Sequence, residues 1–276
     1  MTALVLKLGG ELLETSSDRR AMAEAISRLA ADRPLVVVHG GGKAIDVELG
    51  RRAIAPKKID GLRVTDADTL DAVVSVLAGS ANTALVAACV SAGVAAVGLT
   101  GVDGGTCPST RATAHKTASG QTVDLGFVGD PSTVNGALVE SLLGQRFVPI
   151  MASVGFDADS ADPQLLNVNA DVMACRLAAA LRGSALVIAG TTAGVFDEHG
   201  ATIAVLDDDG IDAAIASGTA TAGMIAKLSA CRDALADGVL SVRIVDGRAI
   251  AAGDTPDGAP GTTLVAAATT HGRPRL

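Results

Sequence analysis

Tryptophan and tyrosine are absent from this 276-residue chain, and four phenylalanines are its only large aromatic rings. A nucleobase or sugar therefore cannot stack on Trp or Tyr. Cysteine is sparse as well: Cys89, Cys107, Cys175 and Cys231 stand far apart, with no paired ligand spacing. That argues against a structural zinc site and predicts free thiols in a reducing cytoplasm, three of them on apolar helical faces. Basic residues are in deficit, with 22 Lys and Arg against 30 Asp and Glu, for a formal net charge of −8. Broad nucleic-acid or anionic-membrane binding is disfavoured, because no surplus cation is available to neutralise phosphates. A local basic pocket stays open. Asp, Arg, Lys or Glu breaks each apolar run before the ~20 residues of a membrane span, so no spanning segment is expected. The chain enters a strand pattern almost at once, no signal peptide is read, and the expected location is the cytoplasm. Internal repeats and long linkers are also lacking.

What is present is an Ala- and Gly-rich chain, 49% hydrophobic, with ample material for a core. Its length suggests one large or two modest domains, by the prior of roughly 100–200 residues each. The pattern is organised around Pro34-Leu35-Val36-Val37-Val38-His39-Gly40-Gly41-Gly42-Lys43. The apolar, mostly β-branched residues predict a buried strand, and helical spacing resumes at Ala44. A strand that runs through glycines into a helix presents bare backbone N–H groups to an anion. Glycine there can adopt positive φ and admit a close approach. A tight turn without a ligand is the plain alternative.

Leu4 to Gly10 repeats the theme, a strand with Lys7 near its end and two glycines after it. Thr15 to Asp18 offer caps for a helix with Met22, Ile26 and Leu29 on its apolar stripe. Two such strands around a helix make a βαβ unit, and their glycine ends share one sheet edge, where ligands of open α/β sheets bind. Beyond them, Thr65 and Asp68 have capping-box spacing, and Gly79 and Gly93 punctuate two helical patterns. A strand is expected at 95–99 and a hairpin around Ser119-Gly120 at the sheet's edge. A helix at 132–143 and a strand at 147–153 follow. Leu166 to Asp171 opens an apolar helix that runs to about Leu181. A strand at 185–189 enters the turn Gly190 to Gly194. Helices at 207–217 and 224–237, then strands at 242–245 and 263–265, finish the fold, with a patternless tail from Ala267. The class is α/β, with a lobe boundary near Arg182.

Several polar residues fit poorly with their apolar surroundings. Lys7 interrupts a buried-strand pattern, and Lys227 sits inside the apolar run Met224 to Leu228. Asn167, Asn169 and Asp171 are more polar groups than one helix cap requires. Each has an ordinary reading as a surface charge or a cap, as does Arg63. His39 is as readily a packing residue as a catalytic base.

Taken in order, Lys7-Leu8-Gly9-Gly10, His39-Gly40-Gly41-Gly42, Gly61-Leu62-Arg63-Val64-Thr65, Asn167-Val168-Asn169-Ala170-Asp171 and Gly223-Met224-Ile225-Ala226-Lys227 resemble the amino acid kinase family. The likeness spans nearly the whole chain. The third and fourth segments are most similar to members that phosphorylate N-acetyl-L-glutamate. The resemblance implies a three-layer αβα sandwich with a central, mainly parallel sheet, the carbamate kinase-like fold. It implies an N-lobe, 1–181, for the amino acid and for dimerisation, and a C-lobe, 182–276, for ATP with its Mg²⁺. The implied reaction is phosphorylation of the substrate's γ-carboxylate, the second step of arginine biosynthesis. By this likeness Lys7 and Lys227 flank the transferring phosphoryl group, and Asp171 fixes them. Arg63, Gly41, Gly42, Asn167 and Asn169 hold the acetylated amino acid. Gly9, Gly10 and Gly40 face phosphate. Thr191, Thr192, Ala193, Gly194, Val195, Phe196, Thr219, Ala220 and Thr221 enclose the nucleotide.

Two residues depart from the family pattern: Thr191 stands where an aspartate is usual, and Lys43 follows the glycines where an uncharged residue is expected. Members inhibited by arginine usually carry an extra N-terminal helix, so the expectation here is an arginine-insensitive homodimer. A sibling kinase for an N-blocked α-aminoadipate stays open. A non-catalytic sensor with the same fold fits less well with Lys7, Asp171 and Lys227 together. A dehydrogenase fits worse still, since no G-x-G-x-x-G follows the first strand.

Overall fold

The computed structural model describes residues 2–117, 120–131, 133–216 and 222–266. The chain opens with β1 (Leu4–Leu8), α1 (Ser16–Asp32), β2 (Leu35–His39) and α2 (Gly42–Arg51). A ribbon of β3 (Lys58–Ile59) and β4 (Leu62–Arg63) leads to α3 (Ala67–Val74) and α4 (Asn82–Ser91), which a π-helical segment, Ser75–Ala81, joins. Next come β5 (Ala96–Thr100), β6 (Ser109–Arg111), a ribbon of β7 (His115–Lys116) and β8 (Thr122–Val123), and β9 (Val128–Pro131). Then follow α5 (Ala137–Gly144), β10 (Val148–Ala152), β11 (Val154–Phe156) and β12 (Leu165–Val168). The remainder is α6 (Ala170–Ala180), β13 (Ala185–Gly190), β14 (Val205–Leu206), α7 (Asp208–Ala216), α8 (Ala222–Ala236), β15 (Ser241–Asp246), α9 (Gly247–Ala252) and β16 (Gly261–Leu264).

Eight strands form one sheet in the order β14-β16-β15-β13-β1-β2-β10-β5. From β5 through β15 every neighbour is parallel; only β16 runs antiparallel to β15. Strand alternation sorts the side chains into two layers. Leu4, Leu6 and Leu8 of β1 join a core with Met22, Ile26, Leu85 and Ile250, under α1, α4 and α9. Val5 joins the opposite core with Val38, Ala174, Cys175 and Leu228, under α6 and α8. Burial on both faces explains why these strands read as continuous apolar runs. The result is the expected αβα sandwich. Strands that precede Arg182 make one half of the sheet and those after it the other, joined along the β1–β13 ladder.

The structure corrects several expectations. Residues 72–102 contain no Asp, Glu, Lys or Arg at all; Ser, Gly, Thr and Asn punctuate this stretch instead. By length and composition alone, Ala67–Ser91 is long and apolar enough to cross a membrane. Here its residues Val73, Leu77, Leu85 and Cys89 are buried in the two cores they face. Gly79 does not break this helix, because the π-helical segment carries it through; Gly93, at φ +82°, ends it. Asp66, not Thr65, caps α3, accepting from Thr69 N at 2.8 Å. The helix expected from 132 starts at Ala137, after Asn135 is pinned by Thr106 O. Ser119 and Ser132 lie outside the described residues. The β7–β8 hairpin is a separate ribbon rather than an extension of the main sheet. Asn167 belongs to strand β12, and the helix opens only at Ala170. A second sheet, β11-β12-β9-β6, was not anticipated. Ser217 and the tail from Ala267 also fall outside the described residues.

Candidate active site

The alternation that places Leu6 and Leu8 under α1 turns Lys7 the other way, towards the N-terminus of α6. There Asn169 caps the helix, its Oδ1 accepting from Asp171 N at 2.8 Å and Val172 N at 3.3 Å. The cap fixes the first turn, and the helix dipole favours the Asp171 carboxylate in it. Lys7 Nζ lies 2.8 Å from Asp171 Oδ1, and α8, packed on α6, brings Lys227 Nζ to 3.8 Å from Oδ2. All three side chains are largely buried. Burial pushes the Asp171 carboxyl up, but the charges and hydrogen bonds of Lys7 and Lys227 outweigh it and hold the group below the ordinary carboxylate range. Asp171 is thus an anion that fixes two ammonium groups on either side of itself.

Lys7 and Asp171 line a cleft of about 270 Å³ at the carboxyl ends of β1 and β2, together with Gly10, Gly41, Gly42 and Arg63. The glycines are there for closeness rather than for unusual dihedrals. Gly9 has φ −64° and Gly41 φ −162°, both open to any residue. A Cβ on Gly10 would come within 2.9 Å of Gly41 Cα, and one on Gly41 within 2.9 Å of a Leu77 methyl. Backbone hydrogen bonding also separates their roles. Gly9 N–H donates to Ala189 O at 2.8 Å and Gly40 N–H to Leu8 O at 3.4 Å, so neither is free for phosphate. The N–H groups of Gly10, Gly41 and Gly42 have no such backbone acceptor among the described residues.

Arg63 marks the cleft's other end. Its Nη2 donates to Gly42 O at 3.1 Å and to Asp46 Oδ1 at 2.5 Å, while Nη1 is buried without a partner. A buried guanidinium donor left open is costly unless a ligand accepts from it. Asn167 Nδ2 donates to Thr65 Oγ1, which donates in turn to Arg63 O. Asn169 spends its Oδ1 on the α6 cap. His39 is not exposed to the cleft. Desolvation pushes its pKa down to about 4, against a smaller upward pull from Gly40 O. A neutral ring donates from Nδ1 to Gly40 O at 3.2 Å and accepts at Nε2 from Asn82 Nδ2 at 3.0 Å. It therefore packs beneath the glycines, and Asn82 anchors it to Ile150 O. Lys43 points away to Glu14 Oε2 at 2.5 Å.

Sequence reading missed Lys58 and Glu11 in this cleft, and Asp46, which pairs with its Arg63. The Asp60-Gly61 pair, with φ of +49° and +80°, was the available signal. Asp-Gly between short strands marks a two-residue hairpin, and its register sets Lys58 opposite Arg63. Glu11 lies over the Gly9 backbone: its carboxylate would be 2.4 Å from a Cβ there.

Residues 2–246 match the sequence model of the Amino acid kinase family. This chain belongs to the amino acid kinase family. It is 39% identical over 243 residues to a protein of Koribacter versatilis named acetylglutamate kinase, covering 88% of this chain and 89% of that one. A second acetylglutamate kinase, from Ralstonia nicotianae, is 38% identical over 89% of this chain and 79% of its own length. The fold matches carbamate kinase of Giardia with a TM-score of 0.70 at 14% identity, over 96% of this chain and 99% of that one.

In the other half of this amino acid kinase, the loop after β13 is built partly from structural residues. Gly194, at φ +98°, would clash with Thr262 if it carried a Cβ. Val195 is buried in the core, and its N–H donates to Thr262 Oγ1 at 2.8 Å. Val195 is therefore an anchor for the loop, and its side chain cannot reach a ligand. Thr191 and Thr192 are exposed, Phe196 keeps much of its ring in solvent, and Arg248 Nη2 donates to Thr191 O at 2.7 Å. Thr219, Ala220 and Thr221 lie outside the described residues.

Proposed function

We propose that this kinase transfers the γ-phosphoryl group of ATP to the γ-carboxylate of N-acetyl-L-glutamate, yielding N-acetyl-L-glutamyl 5-phosphate and ADP for arginine biosynthesis in the cytoplasm. The observation that carries the reading is one cleft with two cationic ends: the Lys7–Asp171–Lys227 group at one and the open Arg63 donor at the other. The names of the relatives point to the same reaction.

A carboxylate oxygen forms the new bond to the γ-phosphorus, and the bond to the β,γ-bridging oxygen breaks, leaving its electron pair on ADP. The nucleophile is already anionic, so no general base is needed. What the reaction needs is relief of repulsion between two anions held in line. Lys7 and Lys227 supply it as compact charges held ready by Asp171, and the free amide of Gly10 adds an oriented dipole. Mg²⁺ bound with the nucleotide would share the phosphate charge. Arg63 holds the α-carboxylate through Nη1, with Asn167, Gly41 and Gly42 beside it. The segment 1–181 takes the amino acid, and 182–276 takes ATP along Thr191, Thr192 and Phe196. The working unit in this reading is a homodimer, which light scattering tests.

The product is an acyl phosphate, which hydroxylamine converts to a stable hydroxamate. Hydroxamate and ADP should form together, and only with ATP and N-acetyl-L-glutamate both present. ADP release that ignores the amino acid would contradict the proposal. A higher kcat/KM with N-acetyl-α-aminoadipate would replace the substrate.

A further inference from the structure

The cation that faces the substrate carboxylate has a competitor built into the protein. Asp46, one turn into α2, takes the Nη2 of Arg63 at 2.5 Å. A guanidinium paired with a carboxylate is neutral as a unit and attracts a second carboxylate weakly. The structure places a third charge against this pair. Lys58 Nζ lies 2.9 Å from Asp46 Oδ2, on the other oxygen from Arg63. Burial pushes the Asp46 carboxyl up, but hydrogen bonds from Lys58 and Arg63 hold it below its ordinary range, so it stays an anion. Two cations and one carboxylate leave a single net positive charge at this end of the cleft, which Lys58, Arg63 and Gly42 line together.

The ribbon makes the arrangement deliberate. Lys58 and Arg63 are directly opposed in the β3–β4 pair, a position where like charges repel. Asp46, supplied from a different element, lies between them and bonds to both. Arg63 Nη1 is buried and unpartnered, whereas Lys58 is half-exposed at the cleft's rim.

We propose that Lys58 is a specificity-determining residue that offsets Asp46, so that the Arg63 end keeps one net positive charge for one carboxylate of the amino-acid substrate. The inference rests on the function proposed above. In it, Arg63 supplies the directional bond and Lys58 supplies the charge balance, with Asp46 holding both in register. Removing Lys58 leaves Arg63 in place but neutralised. Removing Asp46 as well frees Arg63 again.

The test is titration calorimetry of N-acetyl-L-glutamate into wild type, Lys58→Met, Lys58→Arg and the double variant Lys58→Met/Asp46→Asn, with thermal unfolding of each. Lys58→Met should weaken binding by about tenfold, the order expected for one charge lost near a bound carboxylate. Lys58→Arg should bind like wild type, and the double variant should return to within about threefold of it. ATP affinity should not change in any of them. Equal affinity in Lys58→Met and wild type would overturn the charge-balance role. A double variant as weak as Lys58→Met would overturn it too, since lost packing rather than charge would then be the cause. Wild-type protein that binds no N-acetyl-L-glutamate would overturn the proposed function itself, and this inference with it.

Discussion

Arg63 illustrates how much one residue's role depends on what is left undone around it. Four of its surroundings are satisfied by Gly42, Asp46, Thr65 and the ribbon, yet Nη1 stays open. Arg63→Ala should therefore raise KM for N-acetyl-L-glutamate by the equivalent of about 2–3 kcal/mol, with KM for ATP little altered. Steady-state kinetics with both substrates varied checks this, and an unchanged amino-acid KM would remove Arg63 from the site. His39 carries a different prediction. Its folded pKa is about 4 against an ordinary 6.5, because burial disfavours the charged ring; protonation would also turn an Nε2–H against the Asn82 amide donor. As pH falls, the unfolded chain takes up this proton first. The contribution is therefore complete above pH 6.5 and is lost between 6.5 and 4, worth on the order of 3 kcal/mol across the window. Urea unfolding at pH 7 and pH 4.5 should show a smaller loss in His39→Gln than in wild type; equal losses would contradict the assignment. At this scale the sequence spoke where a residue clashed with its pattern. Lys7 stood out in an apolar strand, and so did Lys227 in an apolar helix. Asp46 and Lys58 did not, because a charge on an ordinary amphipathic helix or in a loop breaks no local rule.

At the scale of elements, the cleft depends on two strand ends that pass within backbone contact. A Cβ at Gly10 meets Gly41 Cα at 2.9 Å and its N and C at 3.3 Å, with no flexible side chain to yield. Gly10→Ala should push the two loops apart, destabilise the protein by roughly 1–3 kcal/mol and lower kcat. A Cβ at Gly42 meets nothing within 4 Å. At that first helical position Gly42→Ala should leave stability unchanged or raise it by up to about 1 kcal/mol. Melting temperatures of the two variants compare them directly, and equal values would mean that close approach is not why Gly10 is glycine. The elements themselves were well marked in the sequence. The caps offered by Thr15 to Asp18 form, and they make a full capping box: Thr15 Oγ1 accepts from Asp18 N, and Asp18 Oδ2 accepts from Thr15 N. Periodicity failed in the middle of the chain. Short strands such as β6, β9 and β12 pair over long sequence distances and carry too few residues to show alternation. The π-helical segment likewise hid a continuous helix behind an apparent glycine break.

For the whole molecule, the sheet joins its two halves through β1, which is paired with β2 on one side and β13 on the other. Lys7 therefore stands at the seam, at the end of the strand that both halves share. Asp171 and Lys227 reach it from α6 and α8, which pack together across that seam. The architecture was legible in the sequence as alternating strands and helices. The meeting of these three residues was not, because it depends on how α8 lies on α6, and no local pattern encodes that. The central claim is that two preorganised lysines act on the moving phosphoryl group under the control of one carboxylate. It is tested most directly by kcat, with both substrates saturating, for Lys7→Ala, Lys227→Ala, Asp171→Asn and Lys7→Ala/Asp171→Asn, each confirmed as folded by circular dichroism. The account predicts that each single change lowers kcat by ~10²-fold or more, and that the double variant loses less than the product of its two single losses. Near-normal kcat in either lysine variant, or strictly multiplicative losses, would contradict it.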